Sequence, residues 1–244
     1  MTQFPVPASS GVCGCGVAEP FQSDNSAIGP PRRRFLAGVA AAGCCALAGN
    51  GAQAQSQLTP DAALERLMAG NGRFVAKELD SLQEDLAILK QGTFAKQEPF
   101  AAVLACADSR IPVELIFDQT IGRLFVARVA GNFVTAELIA TLEYGAAVLG
   151  TRVIMVLAHE SCGAVKAAIE GKPVPGQISA LYRPLRAAVD QAGPDVEATA
   201  KANARIQARL LAAASPVLAE LIRKGELKIV AAHYALASGR VTLL

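Results

Sequence analysis

The chain has 244 residues, 52% of them hydrophobic and 18% charged, with a formal net charge of +2. That apolar content supports a packed core and excludes wholesale disorder. The near-zero charge excludes a basic field for nucleic acid, and the absence of Trp leaves few stacking surfaces for bases or glycans.

In chain order, residues 1–54 stand apart from the fold. Arg32-Arg33-Arg34-Phe35-Leu36 resembles a twin-arginine export signal, and the uncharged residues 36–49 follow it. That run is shorter than the roughly 20 apolar residues needed to span a bilayer. Ala52-Gln53-Ala54 then offers the small-x-small pattern that signal peptidases cut, predicting a mature start at Gln55. The domain is therefore expected to engage an export machinery and to work in the periplasm. Lipid anchoring is the alternative, because Ala42-Gly43-Cys44 resembles part of a lipobox, although Ala41 stands where Leu is usual.

Residues 60–77 read as a helix: Thr59 can cap it, Pro60 suits its first turn, and Leu64, Leu67 and Met68 share a face. Gly70-Asn71-Gly72 interrupts that pattern and predicts a break. Residues 80–91 read as a second helical segment. Together residues 55–98 form an N-terminal helical arm, packed on the body or on another subunit. The body, residues 99–244, alternates strands and helices. Apolar runs at 100–106, 123–129, 153–159 and 227–234 read as strands. Helical spacing covers 135–149 and, punctuated by Pro184, Pro194 and Pro216, residues 178–224. The alternation predicts an α/β fold, a central and mainly parallel sheet flanked by helices on both faces. Sites in such sheets form at the carboxyl ends of strands. Cys106 ends the first strand, His159 ends the third, and Cys162 lies in the turn just after it.

Four of the six cysteines, Cys13, Cys15, Cys44 and Cys45, fall in the expected signal. The remaining two, in an exported domain, invite a disulfide. Each nevertheless sits among metal-capable residues, and two thiolates with one imidazole suit zinc. Asp108 is the nearest candidate for a fourth ligand; a closed site would be structural, a site keeping water catalytic. His233, the other histidine, reads as a structural residue of the last strand.

Cys106-Ala107-Asp108-Ser109-Arg110 and His159-Glu160-Ser161-Cys162-Gly163 resemble the two signature motifs of β-class carbonic anhydrases. Arg128-Val129-Ala130-Gly131-Asn132, Glu143-Tyr144-Gly145 and Gly239-Arg240-Val241-Thr242 resemble further family segments in the expected order. The resemblance implies reversible hydration of carbon dioxide to bicarbonate by zinc-bound hydroxide, with Cys106, His159 and Cys162 as ligands. It implies that Asp108 and Arg110 form a dyad beside the metal. A guanidinium holds a carboxylate bidentately and keeps it ionised, so the dyad can act as a gate, with Asp108 as a conditional fourth ligand. It further implies substrate contacts from Gln97, Phe125 and Tyr144, and a homodimer or larger homo-oligomer. Two anionic thiolates place more charge on zinc than neutral imidazoles do, so activity is expected to favour alkaline pH.

Val103 stands where some family members carry a Trp that helps form a regulatory bicarbonate pocket, and that form of inhibition is expected to be absent. Two other readings share the same residues. One is a zinc hydrolase acting on carbon disulfide or carbonyl sulfide. The other is a non-catalytic zinc or redox protein, which would have no use for the Asp108/Arg110 pair.

Overall fold

The computed structural model describes residues 56–81 and 96–244. The expected export signal and nearly all of the arm's expected second helix lie outside the described residues.

Helix α1 (Pro60–Ala76) begins as its sequence dictates. The Thr59 hydroxyl accepts the Ala62 N–H at 3.2 Å, and Pro60 occupies the first turn, where a missing N–H costs nothing. The expected break at Gly70-Asn71-Gly72 does not occur; the helix runs through it. The reason is tertiary. A Cβ at Gly70 would stand 1.8 Å from the Phe117 carbonyl oxygen, so the glycine allows the helix to meet that backbone closely. Asn71 is buried and joins three backbone groups. Its Nδ2 donates to the Ile116 and Gly239 carbonyls at 3.2 and 2.8 Å, and its Oδ1 accepts the Val241 N–H at 2.8 Å. Asn71→Ala leaves all three without partners. We expect a loss of about 2–4 kcal/mol, seen as a lower urea midpoint at unchanged slope.

Five strands form the sheet: β1 (Ala101–Ala105), β2 (Leu124–Arg128), β3 (Val153–His159), β4 (Lys228–Tyr234) and β5 (Val241–Leu243). Their order is β2-β1-β3-β4-β5, with the first four parallel and β5 antiparallel to β4. The four expected strands are all present, and β5 is an addition. Every residue of β1 and β3 is buried, and successive side chains face opposite layers. Ala102, Leu104, Ile154 and Val156 meet one apolar layer, which includes Leu185 and Leu211. Ala101, Val103, Val153 and Met155 meet the other, with Leu67, Ile116 and Phe117. Both faces are thus covered, which is why these strands read as continuous apolar runs. Burying one such leucine, Leu67 for example, contributes about 1.5–3 kcal/mol.

The connecting helices are α2 (Val113–Ile116), α3 (Ala136–Glu143), α4 (Gly163–Glu170), α5 (Tyr182–Ala192), α6 (Val196–Ala214) and α7 (Pro216–Arg223). Helix α3 continues into a π-helical turn, Tyr144–Val148. Pro194 and Pro216 lie at helix boundaries, whereas Pro184 sits in the first turn of α5, where it breaks no hydrogen bond. Among the described residues, no helix is long and apolar enough to cross a membrane.

From β1 the chain moves outward to β2, then returns to β3 on the other side of β1. That reversal opens a crevice beyond the carboxyl ends of β1 and β3, the place where open α/β sheets bind ligands.

Candidate metal centre

Cys106 follows the last residue of β1, His159 is the last residue of β3, and Cys162 caps α4. The topology therefore gathers all three at the crevice. One ligand atom from each lies within 4.8 Å of the others, and all three residues are buried. Both cysteines are free thiols, so the disulfide reading fails.

The imidazole is oriented by its own turn. His159 Nδ1 lies 2.8 Å from the Glu160 carbonyl oxygen, which can only accept, so Nδ1 carries the proton. Nε2 is then left with its lone pair, buried and without a hydrogen-bond partner. An orphaned acceptor beside two thiols is what a cation would satisfy. The thiols agree. The hydrogen bond from Cys162 holds the Cys106 thiol well below its ordinary range, with the Gly131 N–H (3.3 Å from Sγ) assisting against burial. That same bond, then burial and the Cys106 charge, push Cys162 up, although the N–H groups of Val165 and Ala164 at the start of α4 act the other way. The pair shares one proton, and a second thiolate in this buried spot calls for a positive ion. The donor set and its surroundings fit zinc.

Asp108 and Arg110 stand beside the ligands as a bidentate pair. Arg110 Nε donates to Oδ1 at 2.9 Å and its Nη2 to Oδ2 at 2.7 Å. The Arg110 backbone N–H adds a third bond to Oδ1 at 2.9 Å. The Arg110 side chain, then that N–H, hold the Asp108 carboxyl far below the usual carboxylate range. Arg110 also reaches the Ser161 carbonyl at 3.4 Å, tying the two motifs together. With both carboxylate oxygens engaged, Asp108 stands outside the group of mutually close ligand atoms.

Residues not assigned from motif chemistry hold this arrangement. Arg128, at the end of β2, donates from Nε to the Cys106 carbonyl at 2.9 Å and from Nη2 to the Asp108 carbonyl at 2.6 Å. It fixes the path of the 106–110 loop. Gly131, whose N–H meets Cys106, has φ of 88° and would bring a Cβ within 3.1 Å of Leu185. The buried Asn203 on α6 donates to its carbonyl at 2.9 Å, and Gln207, one turn on, accepts the Val134 N–H at 3.0 Å. Thr199, Asn203 and Gln207, polar residues spaced by four on one buried helix face, were the available sequence signal. In the 159–163 turn the left-handed residue is Ser161, with φ of 55°, rather than Gly163.

Other candidates lie elsewhere. Phe125 pairs in register with Ala102, four residues before Cys106, or about 13 Å along the strand. Tyr144 stays with it, ring centroids 6.2 Å apart, and is 48% exposed. Gln97 is exposed and precedes β1 at the opposite edge of the sheet from Cys106. The structure does not bring these three to the cysteines of their own chain. His233 is buried on β4 opposite Ala158, outside the ligand group, and burial lowers its pKa.

Comparison with known proteins agrees with this geometry. The family model described as carbonic anhydrase matches residues 101–241. Carbonic anhydrase 2 of Mycobacterium tuberculosis is 34% identical over 195 residues, covering 75% of this chain and 92% of the relative. The carbonic anhydrase of Mycolicibacterium smegmatis is 33% identical, covering 75% and 93%. Among solved structures, the Coccomyxa β-carbonic anhydrase in complex with acetazolamide is 26% identical with a TM-score of 0.57, covering 65% of this chain and 80% of the other. The Aspergillus fumigatus β-carbonic anhydrase CafA shares the fold at 24% identity, with a TM-score of 0.61 over 74% and 90% of the two chains. Ligand geometry, family match and fold converge: the chain belongs to the carbonic anhydrase family and is a carbonic anhydrase of the β class.

Proposed function

We propose that the chain performs reversible hydration of carbon dioxide to bicarbonate and a proton with zinc held by Cys106, His159 and Cys162. The observation that carries this reading is the orphaned His159 Nε2 between two buried thiols, beside an arginine-held carboxylate. Zinc held there supplies Lewis acidity, which brings the ionisation of water toward the neutral and mildly alkaline range. Asp108, kept ionised by Arg110, is the hydrogen-bond acceptor that would orient the water; as a very weak base it passes the proton to solvent rather than keeping it. Arg110 also restrains the carboxylate from turning onto the metal, so the pair gates the fourth position. Arg128 holds the loop that carries both.

Gln97, Phe125 and Tyr144 lie away from the cysteines of their own chain, so we assign their substrate contacts to a neighbouring subunit's site. The exposed Tyr144 and Val148 beside the open edge of β2 support a subunit contact there. The fold neighbours from Sordaria macrospora, 21% identical with a TM-score of 0.58 over 74% of this chain and 96% of theirs, are described as tetrameric. Export to the periplasm is proposed from the twin-arginine-like segment at Arg32-Arg33 alone.

One experiment on the expressed full chain tests the reading. Periplasmic material is assayed for zinc per chain, sedimentation and stopped-flow carbon dioxide hydration across neutral and alkaline pH. About one zinc per chain, an oligomer, and activity rising with pH are expected. Zinc without hydration at any pH would overturn the substrate and direct attention to carbon disulfide and carbonyl sulfide. Active enzyme confined to the cytoplasm would overturn the export proposal.

A further inference from the structure

The amino edge of the sheet carries a second charged cavity, unrelated to the metal centre. Arg66 and Arg73 lie seven residues apart on α1, so they share one face two turns apart, with the small Ala69 between them. Arg123, just before β2, comes from the other side. With Ser81, Asp118, Gln119 and Thr120 they line a cavity of about 360 Å³. Phe100 and Arg123 precede their strands, whereas Cys106 follows one; strand rise puts about 20 Å between Phe100 and Cys106.

The acids in this cavity are already committed to one arginine. Asp118 is buried and accepts Arg73 Nε at 2.5 Å, the Ser81 N–H at 3.0 Å and the Asp80 N–H at 3.3 Å. The Asp80 carboxylate, largely exposed, also faces Arg73 Nε at 3.3 Å. Glu98, held by Lys96 at 2.6 Å, reaches Arg123 only through longer-range attraction. Among the described residues neither Arg66 nor Arg123 makes an ion pair. Arg66 is held with its guanidinium carbon 4.6 Å over the Phe100 ring, a contact that takes up none of its N–H donors in a hydrogen bond. Burial, then the charges of Arg123 and Arg73, lower its pKa, as expected where like charges converge.

We propose that this cavity binds a small tetrahedral inorganic oxyanion, through the guanidinium forks of Arg66 and Arg123, which make no ion pair among the described residues, with the Thr120 hydroxyl as a further donor. Planar forks match oxyanion geometry in a way a lysine point charge or a chloride does not. Binding would relieve the repulsion between Arg66 and Arg123. A partly enclosed cavity of this size, with its own carboxylates already paired, suits a small ion better than an acidic peptide.

The test is isothermal titration calorimetry of inorganic phosphate into the full zinc-loaded chain, with ionic strength held constant by sodium chloride. One saturable site per chain is expected. Arg66→Gln and Arg123→Gln each weaken it by about tenfold or more, the loss of a charged hydrogen-bonded partner. Arg66→Lys, which keeps the charge but loses the fork, falls between, and Arg183→Gln on the exposed surface of α5 changes nothing. Melting temperatures without phosphate, equal to wild type, verify that the variants fold. Absence of saturable heat overturns the proposal. So does an affinity unchanged in both Gln variants, which would place the phosphate elsewhere, for instance beside Arg110.

Discussion

Asp108→Asn lowers kcat/KM for carbon dioxide hydration by about 10²- to 10³-fold, the range for loss of one preorganised hydrogen-bond partner, while zinc per chain stays at the wild-type level. The amide has the carboxylate's shape and can still accept the Arg110 N–H and Nε bonds at Oδ1. The loop therefore keeps two of its three bonds, and what is removed is the charge with the Arg110 Nη2 bond to Oδ2. The pH dependence sharpens the test. Arg110 depresses the Asp108 pKa, so the carboxylate is charged above that lowered value and loses its charge only in strong acid. By the same sign, whatever stability the pair adds is present above the ordinary carboxylate range and lost as pH falls through the depressed value. Any midpoint of activity near neutrality then belongs to another group, and it persists in the residual activity of the variant. Stopped-flow profiles decide this. Wild-type rates in Asp108→Asn would remove the acceptor role, and loss of zinc would make Asp108 a structural ligand.

His159→Ala is expected to reduce zinc per chain by at least tenfold and to abolish hydration, as read by metal analysis and stopped flow. Outer-shell partners alone contribute about 10- to 100-fold in metal affinity, and a ligand contributes more. The variant also removes the only nitrogen ligand and leaves two thiols sharing one proton, a poorer set for a divalent ion. A thermal readout separates metal loss from misfolding. Zinc that binds only the folded chain raises Tm, so a chelator lowers the wild-type Tm and leaves His159→Ala unmoved. A wild-type Tm indifferent to chelation, with no metal bound, would defeat the assignment.

Much of this site was legible before any coordinates. A strand buried on both faces announces itself as an unbroken apolar run, and β1 and β3 did so; Cys106 and His159 then had to share an edge. Legibility failed where one residue answers to a distant one. Gly70-Asn71-Gly72 has the local chemistry of a helix break, yet its glycine accommodates the Phe117 backbone and its asparagine bonds to residues near the carboxyl terminus. No window of local sequence contains both halves of that contact. The π turn at Tyr144–Val148 and the three-residue β5 are too short to impose a period. Gln97, Phe125 and Tyr144 resembled family positions, but sequence could not say whether a resembling residue serves its own chain's crevice. Asn203 and Gln207 were hidden for a related reason, because the loop they hold lies some seventy residues upstream.

The Asn71 amide also sets an order of events in synthesis. Its partners at Gly239 and Val241 are 168 and 170 residues downstream, made long after it. While the ribosome still encloses residues 239–241, α1 has left it but has no β5 segment to receive its amide. The docking of α1 is therefore completed only once residues 239–241 have emerged, and the nascent chain keeps Leu67 and its neighbours available for non-native contacts until then. A chain stopped before Gly239 would carry every metal ligand and still lack the contact that closes the amino-terminal helix onto the sheet.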